Sequence, residues 1–266
     1  MSFWNDILDQ LTFSNAEVQS LFLSLFLVFT VSAFEFRKSK SVTLIHRLRN
    51  LGFKAMNVAV TVAVVSLIFV RFYPYLPDIH MRDLFWAWIP GWMQIPVGLL
   101  ILDSIIFCYH RLSHAIPFVW RFHRMHHTDP RPNGSTAVRF HPMEVFFSMS
   151  LTFPLGVILD IPSSVSATYL ILQPIVTIIH HADLDFGERW DRLMRLILVS
   201  PRMHHVHHSQ NPLLMNRNFG NLFPFWDRIF GSYVTTPETQ PVRYGLKGFS
   251  ESRWQTVGGM LAVPFK

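Results

Sequence analysis

Residues 84–110 read LFWAWIPGWMQIPVGLLILDSIIFCYH, and Asp103 is the only carboxylate or basic side chain before the final histidine. A helix of about 20 apolar residues crosses the roughly 30 Å hydrocarbon core of a bilayer. Residues 84–109 therefore predict a membrane-spanning helix, although two prolines interrupt its first half. His110 follows directly where the apolar run ends.

Four more apolar stretches surround this one. Residues 18–34 and 55–70 contain no charged side chain and approach the length of a span. Residues 145–159 and 163–179 are shorter and are separated by Asp-Ile-Pro, so they predict a short hairpin that crosses or partly enters the bilayer. We expect an all-α integral membrane helical bundle with about three spans plus this short membrane hairpin.

The composition agrees with a membrane protein. Half of the 266 residues are hydrophobic and 15% are charged, whereas a typical soluble domain has about 25% charged residues. These values argue against a disordered chain, a coiled coil and a nucleic-acid-binding tail. The single cysteine, Cys108, excludes a disulfide framework and a Cys-ligated iron–sulfur cluster within this chain. The net charge of +6 is compatible with an acidic partner or membrane surface.

The distribution of basic residues predicts the orientation in the membrane. The connector at residues 37–54 has six Lys and Arg residues and no acid, which is typical of a cytoplasmic loop. The N-terminus and the loop around Asp78 and Asp83 then lie outside, and His110 reaches the cytoplasmic face. Because a hairpin returns the chain to the side it left, all histidine clusters are expected on that face.

Histidines are concentrated in three clusters between residues 110 and 208. They are HRLSH at 110–114, HRMHH at 123–127 and HHVHH at 204–208. Residues three and four apart share one helix face, so each cluster presents two or three imidazoles in one direction. The eight candidates chosen by this spacing are His110, His114, His123, His126, His127, His204, His207 and His208. Neutral imidazole is a common metal ligand, and eight suit two nearby ions better than one.

Other histidines give a weaker signal. His180 and His181 are adjacent, and neighbouring residues on a helix point about 100° apart, so both do not face one metal. His205 fails the same test against His204, and we expect it in polar packing or at the surface. His141 precedes a proline and fits a turn. Spacing alone leaves metal binding by His181 open, and it leaves the roles of His141 and His180 undecided.

The ligand type limits the choice of metal. Structural zinc sites have four closed ligands, often thiolates, and calcium and magnesium prefer oxygen. An all-imidazole site for two ions at a membrane surface is suited to iron that activates dioxygen. The spacing also leaves zinc and copper open.

The order of these motifs resembles the fatty acid hydroxylase/sterol desaturase superfamily of integral-membrane di-iron oxygenases. The resemblance covers residues 100–233 and includes HRMHHTDP, RFHPMEV, HHADLDFG, SPRMHHVHHS and NFGNLFPFWDRIFGSY, in that order. It implies two non-haem iron ions and a cytosolic cap that carries the histidine-rich dinuclear site. The implied metal ligands are His110, His114, His123, His126, His127, His181, His204, His207 and His208.

The sequence shows no internal repeat, low-complexity run or clear linker, so one domain is the simplest count, and the resemblance implies a reaction. One domain would cover residues 1–266, with transmembrane helices in 1–99, the histidine-rich catalytic region in 100–233 and a C-terminal cap in 234–266. The implied reaction is dioxygen-dependent hydroxylation, or desaturation, of an unactivated C–H bond in a fatty acyl, alkyl or sterol chain. The implied partners are a lipid substrate, the membrane, dioxygen and an external electron donor, either a protein or a small-molecule reductant. No nucleic acid is expected.

Two alternative functions compete with this interpretation. Similarity to alkylglycerol monooxygenases would imply cleavage of an ether lipid and a pterin reductant. A membrane metal-binding or metal-transport protein is the alternative of another class, but transporters place ligands near the bilayer midplane, whereas these clusters lie at helix ends. Short loops and the lack of an appended targeting motif favour a bacterial inner membrane, although an endoplasmic reticulum fits the same topology. The lipid, its reacting carbon, the electron donor and the oligomeric state stay open.

Four polar residues are candidates for orienting the ligands: Asp103, His141, Asp183 and Asn218. Asp103 precedes His110 by seven residues, or two helical turns, and an acid in an apolar helix is costly unless it is paired. We expect it to accept a hydrogen bond from a ligand imidazole, with an ion pair to Arg111 as the alternative. Asp183 stands where many family members have Asn, and Asn218 lies in a turn-rich segment.

Overall fold

The computed structural model describes residues 26–27, 30–31, 33–35, 42–72, 85–235 and 242–266. The α-helices in chain order are α1 (Leu44–Phe72), α2 (Gly91–Ala115), α3 (Pro117–His127), α4 (Pro142–Ile158), α5 (Ser163–His181), α6 (Gly187–Met194), α7 (Pro201–His207), α8 (Pro212–Met215), α9 (Phe225–Ile229) and α10 (Val257–Ala262). Short 3₁₀-helices occupy Trp86–Trp88, Gly134–Val138, Ser252–Gln255 and Val263–Phe265. Within the described residues, β-type pairing is limited to one bridge between Ser209 and Tyr244. The all-α prediction is confirmed.

Among the described residues, three helices are long and apolar enough to cross a membrane: Leu44–Ile68 within α1, Gly91–Ala115 and Ser163–His181. Two of them, in α1 and α2, correspond to the predicted spans at residues 55–70 and 84–109. The predicted span at 18–34 and the loop around Asp78 and Asp83 lie largely or wholly outside the described residues. Helix α5, expected as half of a short hairpin, is long enough to cross alone, whereas its partner α4 is shorter.

The starts of α1 and α2 also differ from the sequence-based boundaries. Helix α1 begins at Leu44, so the second half of the basic connector is helical rather than a loop. The side chains of this first part contact the cap, where Arg49 donates to the carbonyl oxygen of Gln255. Helix α2 begins at Gly91 because Pro90 occupies the N-cap, a position that tolerates the loss of a backbone N–H.

Close packing brings the spanning helices α2 and α5 together. Gly98 faces Val165, and a Cβ added at Gly98 would lie 2.3 Å from Val165 Cγ1. Glycine is therefore required where the two helices approach. This crossing places the C-terminal ends of α2 and α5, which carry histidines, on the same side of the bundle.

The cap covers this histidine-bearing end. It includes the 3₁₀-helix Gly134–Val138, the helices after α5 and the C-terminal segment. Asn50 Nδ2 donates to Ser135 Oγ at 3.0 Å, and Asn57 Nδ2 donates to the carbonyl of Phe140 at 2.9 Å. The C-terminal segment packs through a buried cluster of Phe53, Met125, Phe249, Met260 and Val263. The cap therefore fixes α1 and α3 relative to each other.

Candidate metal centre

Five histidines from three helices form the first group of potential metal ligands. They are His110 and His114 of α2, His123 and His127 of α3, and His207 of α7. One ring nitrogen from each lies within 4.8 Å of the others. The spacing of four residues within α2 and within α3 brings both members of each pair to one face, as the sequence pattern predicted.

Four histidines form the second group beside the first. They are His126 of α3, His181 of α5, His204 of α7 and His208, which directly follows α7. The two groups together contain the nine residues predicted as ligands, divided five and four. His141, His180 and His205 lie outside both groups. Helix α3 contributes to each group because His126 points about 100° away from its neighbour His127.

The distances between ring nitrogens fit metal binding. In the second group the Nε2 atoms of His126 and His204 lie 3.1 and 2.9 Å from Nε2 of His181, and His208 Nε2 lies 3.1 Å from His204 Nε2. Two nitrogens bound to one ion at about 2.1 Å are about 3 Å apart when the bonds are perpendicular. The donor set therefore fits one ion in this group.

The first group shows a different sign of a ligand site. The Nε2 atoms of His110, His114 and His207 are buried and have no hydrogen-bond partner within the described chain. Buried polar atoms in proteins are almost always satisfied. A metal ion is the partner that fits three converging imidazole nitrogens, with His123 and His127 completing the set.

Burial keeps the imidazoles in the form that binds metal. Desolvation, with neighbouring imidazoles adding to it, lowers the pKa of His126, His127, His204, His207 and His208 well below the usual range. A neutral imidazole keeps the lone pair that a metal needs. These five side chains are therefore neutral at neutral pH.

Residues 216–219, named here the acceptor segment, orient three imidazoles of the first group. Asn216 Oδ1 lies 3.1 Å from His114 Nδ1. The carbonyl oxygens of Arg217 and Phe219 lie 2.8 Å and 2.9 Å from Nδ1 of His207 and His110, respectively. A hydrogen bond donated by Nδ1 fixes the tautomer and leaves Nε2 for the metal. One short segment therefore sets the direction of three imidazoles.

Glu144 orients a fourth imidazole of the first group, and the sequence pattern did not predict it. Its Oε1 lies 2.5 Å from His123 Nδ1, and both side chains are buried. A carboxylate in this place orients the ring and raises its basicity. The signal was present in RFHPMEV, where an acid in the first turn of the apolar helix α4 follows His141 by three residues.

Asp129 fixes the end of α3 to α1 and to the 3₁₀-helix of the cap. Its Oδ2 lies 3.1 Å from His46 Nε2 and accepts a hydrogen bond from Thr136 Oγ1. Burial alone would raise the pKa of Asp129, but the charge of Arg139 and these hydrogen bonds lower it to about 2. Asp129 is therefore ionised at neutral pH and anchors the helix that serves both groups.

Asn218 contacts no ligand imidazole, although it was a candidate for orienting one. It is buried and adopts a left-handed φ of 56°. Its Nδ2 donates to the carbonyls of Met203 and Val234, and its Oδ1 accepts from Val234 N. Asn218 acts through the acceptor segment, because its turn directs the two flanking carbonyls toward different imidazoles.

The expected hydrogen bond between Asp103 and a ligand imidazole is wrong. Its carboxylate accepts from the backbone N–H groups of Leu222 and Phe223, from Trp226 Nε1 and from the hydroxyl of Tyr169. Two helical turns place Asp103 about 10 Å along the helix axis from His110. At Asp103 the helix is covered by the 222–226 segment. The alternative partner Arg111 lies over the ring of Phe230 instead.

The other two candidates also lie away from the ligand atoms. His141 is the N-cap of α4, and its Nδ1 accepts from Met143 N at 3.1 Å. This contact bears out the turn role that the following proline suggested. Asp183 has an exposed side chain, and its backbone N–H donates to Glu35. Its exposure explains why it does not orient a ligand.

A cavity of about 360 Å³ adjoins both histidine groups. Histidines at its metal end come from both groups and include His180, whose buried Nδ1 has no partner within the described chain. Apolar side chains continue the wall toward the membrane-spanning part of the bundle: Val58, Ile106, Val145, Met149 and Leu170. The cavity can therefore bring an apolar chain to the histidines.

Replacing Glu144 with methionine is expected to weaken metal binding about 10–100-fold, since ligand-orienting partners typically contribute that much. Glu144→Gln, which keeps an acceptor oxygen, should lose less. Competition with a chelator would measure the affinity. Equal affinity in the wild type and Glu144→Met would contradict the orienting role of this carboxylate.

Two replacements of Asn218 separate its conformation from its hydrogen bonds. Asn218→Gly keeps access to the left-handed region and is expected to lose about 1–3 kcal/mol of stability through the missing hydrogen bonds. Asn218→Ala should lose about 1–2 kcal/mol more because of backbone strain. Thermal unfolding in detergent measures both. If the alanine variant were as stable as the glycine variant, the strain argument would be wrong.

Comparison with known proteins adds independent information. The model of the fatty acid hydroxylase family matches residues 95–232, just over half of the chain. The alkylglycerol monooxygenase of Danio rerio is 32% identical over 179 residues, which are 65% of this chain and 37% of that protein. The ornithine lipid hydroxylase OlsE of Rhizobium tropici is 28% identical over 65% of this chain and 51% of its own length.

The cholesterol 25-hydroxylase of Rattus norvegicus is a further relative, 28% identical over 60% of this chain and 53% of its own length. The chain thus spans about a third to a half of the length of these curated relatives. No solved structure matches.

Proposed function

Because this chain belongs to the fatty acid hydroxylase family, we propose that it is a membrane-bound oxidoreductase that hydroxylates an unactivated C–H bond of a lipid. The oxidant is dioxygen, and the reaction takes place at a centre of two iron ions. The observation that carries this proposal is the meeting of two histidine groups with one cavity that has apolar walls.

The nine histidines hold the metal in two sets. His110, His114, His123, His127 and His207 hold one ion, and His126, His181, His204 and His208 hold the other. Bound iron supplies the power to activate dioxygen toward a C–H bond. The acceptor segment and Glu144 keep four ligand rings in the binding orientation. His181 is oriented in the same way by the carbonyl oxygen of Thr177, 2.7 Å from its Nδ1.

The cavity admits the lipid substrate and excludes bulk water. An acyl, alkyl or sterol chain enters between α1, α4 and α5, whose apolar residues line the cavity. The net reaction converts a C–H bond, dioxygen, two electrons and two protons into a C–OH group and water. The electrons come from a separate protein or small-molecule reductant. Desaturation begins with removal of hydrogen from the same kind of bond and is the alternative outcome.

Cleavage of an ether lipid is the second candidate. It is favoured by the similarity to alkylglycerol monooxygenases of Danio rerio, Xenopus tropicalis and Homo sapiens, at 29–32% identity. Hydroxylation of the carbon next to the ether oxygen would lead to this outcome, with a pterin as reductant. Ether-lipid turnover that depends on a reduced pterin, with no turnover of an acyl substrate, would favour ether cleavage over acyl hydroxylation.

The proposed location is a bacterial inner membrane, with the histidine groups on the cytoplasmic face. Three apolar helices support membrane integration. The basic residues near the start of α1 support the orientation, because positively charged loops stay in the cytoplasm. A single catalytic domain with a C-terminal cap is part of the same proposal.

Metal analysis and product analysis test the proposal together. Detergent-purified protein is expected to contain two irons per chain, and with iron, dioxygen and a reductant it should yield a lipid product about 16 mass units heavier. Labelled dioxygen should supply the added oxygen atom. A single tightly held zinc and no oxidised lipid would overturn the function. Iron transport across vesicles without lipid oxidation would favour the metal-transport alternative.

A further inference from the structure

Lys54 is a cation in the wall of the cavity beside the histidine groups. It lies on α1, one turn before Asn57, and Asn57, Val58 and Thr61 continue the same cavity-lining face toward the membrane. These positions are three, four and seven residues from Lys54 and so share one side of the helix. Lys54 is therefore at the cap end of the cavity wall, and this wall is more apolar toward the membrane.

Lys54 has no ion-pair or hydrogen-bond partner within the described part of the chain, and no charged neighbour contributes to its electrostatic environment. Glu144 is the carboxylate in the same cavity wall; its Oε1 is engaged with His123 Nδ1, and its buried Oε2 has no hydrogen-bond partner within the described chain. An unpaired cation on an apolar helix is costly and is typical of a functional position.

A second polar atom near Lys54 also lacks a partner. Asn57 donates through Nδ2 to the carbonyl of Phe140, but its buried Oδ1 accepts nothing within the described chain. The cap end of the cavity thus offers a cation and two free acceptors, Asn57 Oδ1 and Glu144 Oε2, while the opposite end offers apolar side chains. This arrangement matches an amphiphile whose head group carries negative charge and a hydroxyl group.

We propose that Lys54 binds the anionic head group of the lipid substrate, a carboxylate or a phosphate, while the lipid tail extends along α1, α4 and α5. The inference rests on the proposed function for its claim that the ligand is a substrate. It adds that the head group lies at the metal end of the cavity. The oxidised carbon is then near the head group rather than at the far end of the tail.

Equilibrium binding of matched lipids tests this inference on the full-length, metal-loaded protein in detergent. The probes are tritiated hexadecylglycerol and its phosphate ester, and tritiated hexadecanol and hexadecanoate. Each pair shares a tail and differs in charge. The variants are Lys54→Met, Lys54→Arg and, as the matched control, Lys247→Met, because Lys247 is exposed and outside the cavity.

Wild-type protein should prefer the anionic member of at least one pair. Lys54→Met should reduce affinity for that member about tenfold or more, as expected for one charge-assisted hydrogen bond, and should change affinity for its neutral partner less than about twofold. Lys54→Arg should restore most of the preference, and Lys247→Met should leave it unchanged. The pair that responds identifies the head group as a phosphate or a carboxylate.

Two results would overturn the inference: unchanged affinities in Lys54→Met, or an equal loss for charged and neutral lipids. The second would indicate a general effect on the cavity. The proposed function fails separately. Lys54-dependent binding without any oxidised lipid would contradict the function alone, whereas equal oxidation of the preferred anionic lipid by the wild type and Lys54→Met would contradict the role of Lys54 alone.

Discussion

His126→Ala is expected to remove the metal from the four-histidine group and to reduce lipid oxidation by more than about a hundredfold. The loss should exceed the roughly 10–100-fold effect of removing a ligand's supporting partner, because a donor atom itself is absent. The remaining ligands of that group are His181, His204 and His208. Metal content by mass spectrometry should fall from about two irons per chain toward one.

Two further variants make this expectation specific. His114→Ala should remove the ion from the five-histidine group, so that either single variant keeps the other site. His205→Gln is the control: His205 lies next to a ligand and its Nε2 is 3.1 Å from the carbonyl oxygen of His181, but it is outside both groups. Gln retains a donor for this carbonyl. Full metal content in His126→Ala, or an equal loss in His205→Gln, would contradict the assignment of ligands.

Asp103→Asn is expected to destabilise the protein by about 2–6 kcal/mol, because two buried hydrogen-bond donors would lose their acceptor. The carboxylate accepts hydrogen bonds through both oxygens from Leu222, Phe223 and Trp226. In asparagine, an NH₂ group would replace one of the two carboxylate oxygens and would face the donors bound to that oxygen. Each buried donor left unsatisfied costs about 1–3 kcal/mol. Thermal unfolding in detergent measures the loss.

The same substitution should loosen metal binding indirectly. The segment that Asp103 holds is continuous with Phe219, whose carbonyl orients His110. Asp183→Asn is the matched control, since this aspartate is exposed and should change neither stability nor metal content. Unfolding of Asp103→Asn at the wild-type temperature, with full iron content, would show that the carboxylate is dispensable.

The sequence predicted eight of the nine clustered histidines because helix periodicity determines which side chains share a face, whereas His181 was added only by the family resemblance. It could not predict their division into five and four, since that depends on how α3 crosses α2, α5 and α7. The spacing indicated that His126 and His127 diverge, but only the packed helices show which neighbours each one meets. Their role as metal ligands stays a prediction.

Periodicity also explains the error at Asp103. A separation of seven residues correctly places Asp103 and His110 on one helix face, but it does not reveal which segment covers that face. In the structure the 222–226 segment reaches Asp103 first. Glu144 was missed for a related reason, because its partner His123 is 21 residues away and no local pattern connects the two.

Boundaries were the least predictable part of the fold. Hydropathy located the apolar core of α1 at residues 55–70 but not its polar first turns, whose side chains are stabilised by the cap. Hydropathy also stopped short of the end of α5, because His180 and His181 are polar in composition yet buried in the structure.

Helix α3 supplies His123 and His127 to one group and His126 to the other. A helix rises about 1.5 Å per residue and is stiff over three turns. The backbone of α3 would therefore set the distance between two bound ions. If binding at one group orders the shared helix, the second ion would bind without repeating that entropic cost. Iron should therefore load cooperatively, with few chains holding a single ion at half saturation.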